Sequence, residues 1–174
     1  MERLLTVQDS DFEPNTPRHN RSSFFRRRAA RAVVLDHLGA VGLMYVSSEK
    51  YFKLPGGGID KGEAIKSALK RELLEELGCH VEILKELGEI LEYRDYWEMI
   101  QTSYAYLVRV VGKKGQPQLT DLERSQGFEV AWQKDIEAAI RALEQQQPQG
   151  GSHPLAHRFM QARDITILKK ANKL

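Results

Sequence analysis

The sequence predicts an α/β fold, a mixed central sheet sandwiched between helices, on three observations. Short β-branched and aromatic runs at 32–35, 40–46, 102–110 and 130–132 read as strands. A helix-sized segment over about 61–77 stands between them, bracketed by glycines. Two more helical patterns follow, Asp135 to Gln147 and about Pro154 to Lys173. Strands around one central helix, with helices after them, call for apolar burial on both faces of a sheet.

The elements follow in order. Residues 1–22 form an N-terminal arm, partly loose, because 8–22 is polar, carries two prolines and shows no periodicity. Residues 23–174 form a single domain of ordinary size. The basic run Phe24 to Arg31 leads into the strand Ala32–Leu35, whose hairpin partner is Ala40–Val46 across an Asp36–Gly39 turn. Tyr51–Leu54 is a short extended piece stopped by Pro55 and three glycines. The central helix ends at Gly78, a left-handed terminator. Val81–Glu92 alternates unevenly, Thr102–Val110 is a clear strand, and Val130–Trp132 is a shorter one. Asp135 caps the next helix, and Leu155, Phe159, Ala162, Ile165 and Leu168 stripe the last.

Composition sets outer bounds. At 41% hydrophobic and 29% charged residues, the chain is globular and not disordered. A formal charge of +2 excludes polyanion binding by bulk electrostatics. A single cysteine, Cys79, excludes an internal disulfide and fits a reducing compartment. No run approaches the roughly 18–20 apolar residues of a membrane span, and the first residues lack a signal-peptide apolar core. A cytoplasmic protein is expected.

The central helix carries an electrostatic conflict. With Ile65 at zero, Leu69, Leu73 and Leu77 fall at roughly 40°, 80° and 120° around the helix, and Glu72, Glu75 and Glu76 fall between about 280° and 20°. Three carboxylates therefore cut into the edge of the apolar stripe, where they repel one another and lose water. Folding does not reward that arrangement, but a bound divalent cation would.

The same segment reads Gly57, five residues, Glu63, seven residues, then Arg71-Glu72-Leu73-Leu74-Glu75-Glu76-Leu77-Gly78-Cys79. This resembles the Nudix hydrolase signature, G-x5-E-x7-R-E-U-x-E-E-x-G-U with U bulky and aliphatic. Only the last position departs, where Cys79 acts as a small buried hydrophobe. The resemblance is specific over about residues 30–80 and general beyond. It implies a Nudix-like α/β/α sandwich that hydrolyses a nucleoside-diphosphate-linked substrate with Mg²⁺, or Mn²⁺ in its place. It implies that Glu72, Glu75 and Glu76 ligate metal, with a Gly56 or Gly57 carbonyl adding a donor. Arg71 then orients the glutamates, and Glu63 supports them. Water activated by metal and a glutamate (Glu72, Glu76 or Glu123) attacks phosphorus.

Outside the signature the residues are less specific. Asp121, Glu123 and Glu129 are the candidates for a further downstream acid, with Glu123 favoured. Gly56, Gly57, Gly58 and Tyr96 are candidate substrate contacts, Tyr96 through a spacing similar to that of dinucleoside-polyphosphate hydrolases. The five histidines show no metal-ligand spacing and read as surface residues. The run Arg26-Arg27-Arg28 with Arg31 reads as a solvated or internally paired stretch before it reads as an anion site. The expected partner is a small nucleoside diphosphate derivative, with no membrane, no nucleic acid, and a homodimer compatible with the sequence. The alternative class is a catalytically silent nucleotide-sensing module, which the full set of box acids argues against.

Overall fold

Seven strands form one mixed sheet in the computed structural model, which describes residues 1–17 and 19–174. The strands are β1 (Arg3–Gln8), β2 (Phe25–Leu35), β3 (Val41–Val46), β4 (Tyr51–Lys53), β5 (His80–Arg94), β6 (Met99–Val111) and β7 (Phe128–Gln133). The helices are α1 (Ile65–Leu77), α2 (Asp121–Ser125), α3 (Ile136–Gln145) and α4 (Pro154–Ala171). The strand order is β1-β5-β6-β2-β3-β4, with β7 also on β3. Pairs β1/β5 and β2/β6 are parallel, and the others antiparallel.

Strand alternation distributes the core over both faces. Ala30, Ala32 and Val34 of β2 pack with Leu69, Leu73 and Leu77 of α1. Val33, from the same strand, packs on the other face with Leu143 of α3 and Ile167 and Leu168 of α4. The result is the α/β/α sandwich that the sequence predicts. Cys79 is fully buried in the α1-side core, as a hydrophobe there should be.

Several boundaries differ from the sequence reading. β2 begins at Phe25, so the basic run lies inside a strand. Its backbone pairs residue for residue with β6 from Phe25↔Met99 to Leu35↔Arg109, a ladder indifferent to side-chain charge. Arg3–Gln8, read as part of a partly loose arm, is a sheet strand on β5 with Val7 4% exposed against Leu155 and Phe159 of α4. The arm beyond it contains short 3-10 turns at Asp9–Asp11 and Arg21–Ser23, while Arg18 lies outside the described residues. α1 begins at Ile65 and not near Lys61, because Gly62 takes a left-handed φ of +83° that a helix cannot continue through. The uneven alternation of 81–92 reflects register shifts in β5 at Ile83/Lys85 and Glu86/Gly88, each a bulge that resets the side-chain parity.

Leu73 is fully buried between α1 and the sheet. Leu73→Ala is expected to lower stability by about 2–5 kcal/mol in urea unfolding.

Candidate active site

The site forms where the sheet parts. β2 and β3 pair only through Val34↔Gly42 and Leu35↔Val41 and then separate. The chain leaving β4 enters that gap and bonds to β2: the Ala32 amide donates to the Pro55 carbonyl (3.2 Å), Ala30 to Gly57 (2.9 Å), and Ile59 to Arg28 (3.0 Å). The passage is tight enough to require glycine twice. Gly56 has φ +119°, and a Cβ there would stand 2.2 Å from the Ala30 carbonyl oxygen. A Cβ on Gly57 would stand 2.3 Å from the Glu72 carboxylate carbon. The turn is therefore a packed wall against the helix carboxylates and not a flexible linker.

The carboxylates are held by donors on several sides. Glu76, 2% exposed, accepts from the Gly56 amide (2.6 Å) and from Lys53 Nζ (3.0 Å). Arg71 Nη1 donates to Glu72 (2.9 Å) and Glu75 (3.2 Å). Its Nε and Nη2 grip both oxygens of Glu63 (3.1 and 3.0 Å), and Nη2 also reaches the Gly58 carbonyl (3.2 Å). One guanidinium thus ties three box acids to the glycine turn. Burial raises the Glu72 pKa above the usual carboxylate range, Arg71 opposes that rise, and the Glu76 charge adds to it. The Glu63 carboxyl is lowered, first by its bonds to Arg71.

Among the described residues, no three histidine, cysteine or acidic side chains converge into a preformed metal cage. The box acids are instead spread toward Arg71, Lys53 and the Gly56 amide. The donor set nonetheless fits a hard divalent cation: it is all oxygen, and Glu72 has its Oε2 uncommitted beside the Gly57 backbone.

Other sequence candidates lie elsewhere. Glu123 accepts from the Thr120 amide and hydroxyl (both 2.8 Å) in a capping box that starts α2, and none of its bonds reaches the box helix. Tyr96 is 60% exposed and stacks on His153 at 4.2 Å. It lines a cleft of about 650 Å³ beneath the N-terminal segment with Asp9, Glu13 and Asp95, and its aromatic partners, Trp97 and His153, lie outside the Gly56–Gly58 turn. The histidines are not all bare surface: His157 is half-buried against Glu49 (3.1 Å), and His153 caps α4.

Beneath the turn, on the α4 side of the sheet, lies a charged network the sequence reading missed. Glu92, fully buried, accepts from Arg94 (2.8 Å) and Gln101 (2.5 Å) and stands 4.0 Å from Arg163. Asp164, also fully buried, accepts from Arg163 Nε (2.7 Å) and the Leu54 amide (2.9 Å). Arg27 donates to Gln101 (2.5 Å). Arg31, 6% exposed, leaves Nε and Nη1 buried without a partner among the described residues. Burial pulls its pKa down to about 10, so it remains charged at neutral pH. The sequence signal was available: once β2 is extended to Phe25, Arg27, Ala29, Arg31 and Val33 share one face.

Against this geometry, a family model described as NUDIX domain matches residues 25–151. The chain belongs to the Nudix family. RNA pyrophosphohydrolase of Campylobacter jejuni is 44% identical over 59 residues, 33% of this chain and 38% of that protein. Oxidized purine nucleoside triphosphate hydrolase of Danio rerio is 34% identical over 76 residues, 43% and 47% of the two chains. The matched stretch thus spans less than half the length of either relative. A NUDIX hydrolase structure from Nitrosomonas europaea superposes with a TM-score of 0.62 at 16% identity, covering 85% of this chain and 89% of that one, which places the Nudix fold. No helix is long and apolar enough to cross a membrane among the described residues.

Burial alone would raise the Glu92 carboxyl, but Arg94 and Arg163 outweigh it and hold the pKa below 4.5. The resulting stabilisation is present above the unfolded-state value and is lost as pH falls through the lower folded one. Glu92→Gln removes the charge that half-buried Arg94 bonds and that buried Arg163 faces at 4.0 Å, and is expected to cost about 3–5 kcal/mol at pH 7. The gap from wild type should narrow below about pH 4.5, as followed by thermal unfolding across pH.

Proposed function

We propose that this Nudix chain is a divalent-metal-dependent pyrophosphohydrolase that cleaves the phosphoanhydride bond of a nucleoside-diphosphate-linked substrate. One observation carries the reading: Arg71 gathers Glu63, Glu72 and Glu75 while the Gly56–Gly57 turn seats directly against Glu72 and Glu76. Glu72, Glu75 and Glu76 would hold Mg²⁺ or Mn²⁺. Held there, the cation would neutralise charge on the diphosphate and acidify water. Arg71 fixes the rotamers of Glu72 and Glu75 and needs no substrate contact. Lys53 pairs with buried Glu76 at 3.0 Å and places positive charge beside the turn.

Glu72 is the group suited to take the proton of the attacking water. Both oxygens of Glu76 already accept bonds, and Glu123 is committed to its own cap, whereas Glu72 keeps one free oxygen and a pKa raised by burial. In the step, the water oxygen bonds to one phosphorus, the bridging P–O bond breaks, and the departing phosphate takes the electron pair.

Glu76→Gln is expected to reduce Mg²⁺-dependent hydrolysis across a nucleotide panel by about 10² or more, the usual scale for a group in the chemistry. Retention within about tenfold, in a variant that unfolds like wild type, would sink the assignment. Titration calorimetry separates the sensor alternative, which requires tight nucleotide binding with no phosphate released in Mg²⁺ or Mn²⁺.

A second reading, the 5′ end of RNA as substrate, has its own observation. Arg26 and Arg28 are exposed on the α1-side face of the sheet and form no ion pair among the described residues. Arg28 lies over the Tyr104 ring at 5.5 Å, Arg21 lies over Tyr93 at 4.2 Å, and a cleft of about 550 Å³ runs past Arg3, Arg21, Arg26 and Tyr93. Arg21 and Arg3 are taken up by Asp95 and Glu89, which leaves Arg26 and Arg28 beside the rings, an arrangement that suits single-stranded nucleic acid. The expectation against a nucleic-acid partner loses its support, and the RNA-directed name of the Campylobacter relative points the same way. Replacing Arg26 and Arg28 together by Ala should weaken binding of a 5′-triphosphorylated RNA oligonucleotide. It should also flatten the slope of log K against log salt by about 0.7 for each phosphate no longer neutralised. An unchanged slope would remove this reading and leave the nucleotide one.

A further inference from the structure

Arg31 stands next to the box, and the proposed reaction leaves its chemistry unused. It projects from β2 toward α4, between Ala30 and Ala32, which face α1. Its α-carbon lies against the glycine turn, 3.2 Å from where a Cβ on Gly56 would stand. The carboxylates nearest to it in charge, Asp164 and Glu76, already accept two bonds each, from Arg163 and Leu54 and from Lys53 and Gly56. Glu92 is likewise taken up by Arg94, Gln101 and Ser103. Arg27, on the same face of the same strand, has one hydrogen bond among the described residues, to neutral Gln101, and its Nη2 lies 3.6 Å from a Cβ position on Gly58.

Two guanidinium groups thus flank the turn that the box acids touch from the other side. Two donors of Arg31, Nε and Nη1, are buried without a partner among the described residues. A buried cation with unmet donors is costly and destabilises the fold unless something answers it. An ordinary hydrophobe would fill the position without that penalty.

We propose that Arg31, assisted by Arg27, is a phosphate-binding residue: it receives the phosphoryl group adjacent to the one attacked at the box helix, and so selects for a substrate with an oligophosphate chain. The proposal rests on the pyrophosphohydrolase reading for the identity of the ligand. A guanidinium offers parallel N–H donors that match two oxygens of one phosphoryl group, and an ammonium does not. The anion is the same whether the chain ends on a nucleoside or on an RNA 5′ terminus, so both sources enter the test.

The test begins without metal, on the full chain in EDTA, with inorganic pyrophosphate as the probe in calorimetry and thermal unfolding. Wild type should bind and be stabilised. Arg31→Met should lose about tenfold or more in affinity, as expected when a charge-assisted donor is removed, and should unfold at an equal or higher temperature than wild type when no ligand is added. Arg141→Met, which removes an exposed arginine of α3 paired with Glu137, should bind the probe as wild type does. With Mg²⁺, a nucleoside triphosphate and a 5′-triphosphorylated RNA oligonucleotide are compared, and Arg31→Met should raise KM by about tenfold or more for whichever is hydrolysed, with kcat changed far less.

Arg31→Lys keeps the charge without the fork and covers the case in which the methionine variant does not fold. Its pyrophosphate affinity should also fall. Undiminished pyrophosphate affinity in either folded variant overturns the proposal. So does a failure of wild type to bind the probe. Arginine-dependent pyrophosphate binding in a protein that hydrolyses no diphosphate would instead reject the enzymatic reading and leave this one standing.

Discussion

The structure depends on one close approach: the turn Gly56–Gly57 lies between the β2 backbone and the carboxylates of α1 with no room for a Cβ on either residue. Its amide at Gly56 is the donor that satisfies buried Glu76, and its carbonyl at Gly57 accepts from Ala30. The turn links sheet and helix through polar groups in a region where the rest of α1 is attached by leucines. Removing it would leave a buried carboxylate short of a partner and a strand amide without an acceptor, each a desolvation penalty. Packing on one side of α1 and hydrogen bonding on the other therefore fix the same helix in the same place. The glutamates gain a defined position from both.

Much of this was legible in the residues, and the reason differs by element. The signature helix could be read because its apolar stripe and its acids compete for one helical face, and that conflict is visible from spacing alone. Its C-terminus was visible because Gly78 takes the left-handed conformation, φ +64°, that a helix end requires. β2 was half-hidden. Its apolar end, Ala32–Leu35, reads as a strand, but its first half carries Arg26, Arg27, Arg28 and Arg31, and charged residues suppress a strand reading made from hydrophobicity. The ladder to β6 is a long-range fact that no local pattern contains. β1 was hidden for the same reason, since its partner β5 lies some eighty residues further along.

The site shows a similar division. Glu63, Arg71, Glu72, Glu75 and Glu76 fall within one local segment, so spacing brings them together before any tertiary contact is known. Lys53, Glu92, Arg163 and Asp164 come from β4, β5 and α4 and meet only once the sheet is assembled. Glu123 was favoured because it is acidic and precedes a strand. The more local explanation, a Thr120 hydroxyl three residues earlier, was also present in the sequence and is the bond that forms. A capping box needs only its own turn, and short-range partners prevail when both are open to a carboxylate.

The parity of β2 connects these points to function. Along one strand, even-numbered residues run Arg26, Arg28, Ala30, Ala32, Val34, and odd-numbered ones run Arg27, Ala29, Arg31, Val33, Leu35. Each face therefore changes from arginine to apolar along its length, and the α1-side face changes about where the glycine turn reaches the strand. The apolar half anchors both helical layers. The basic half extends past the turn and brings cations to both faces of the sheet beside a cluster of acids. A strand that served stability alone would continue apolar through the Arg31 position, where Asp164, Glu76 and Glu92 already accept their bonds from other donors. The charge there is left over from the fold's own requirements, and what it can answer is an anion brought from outside.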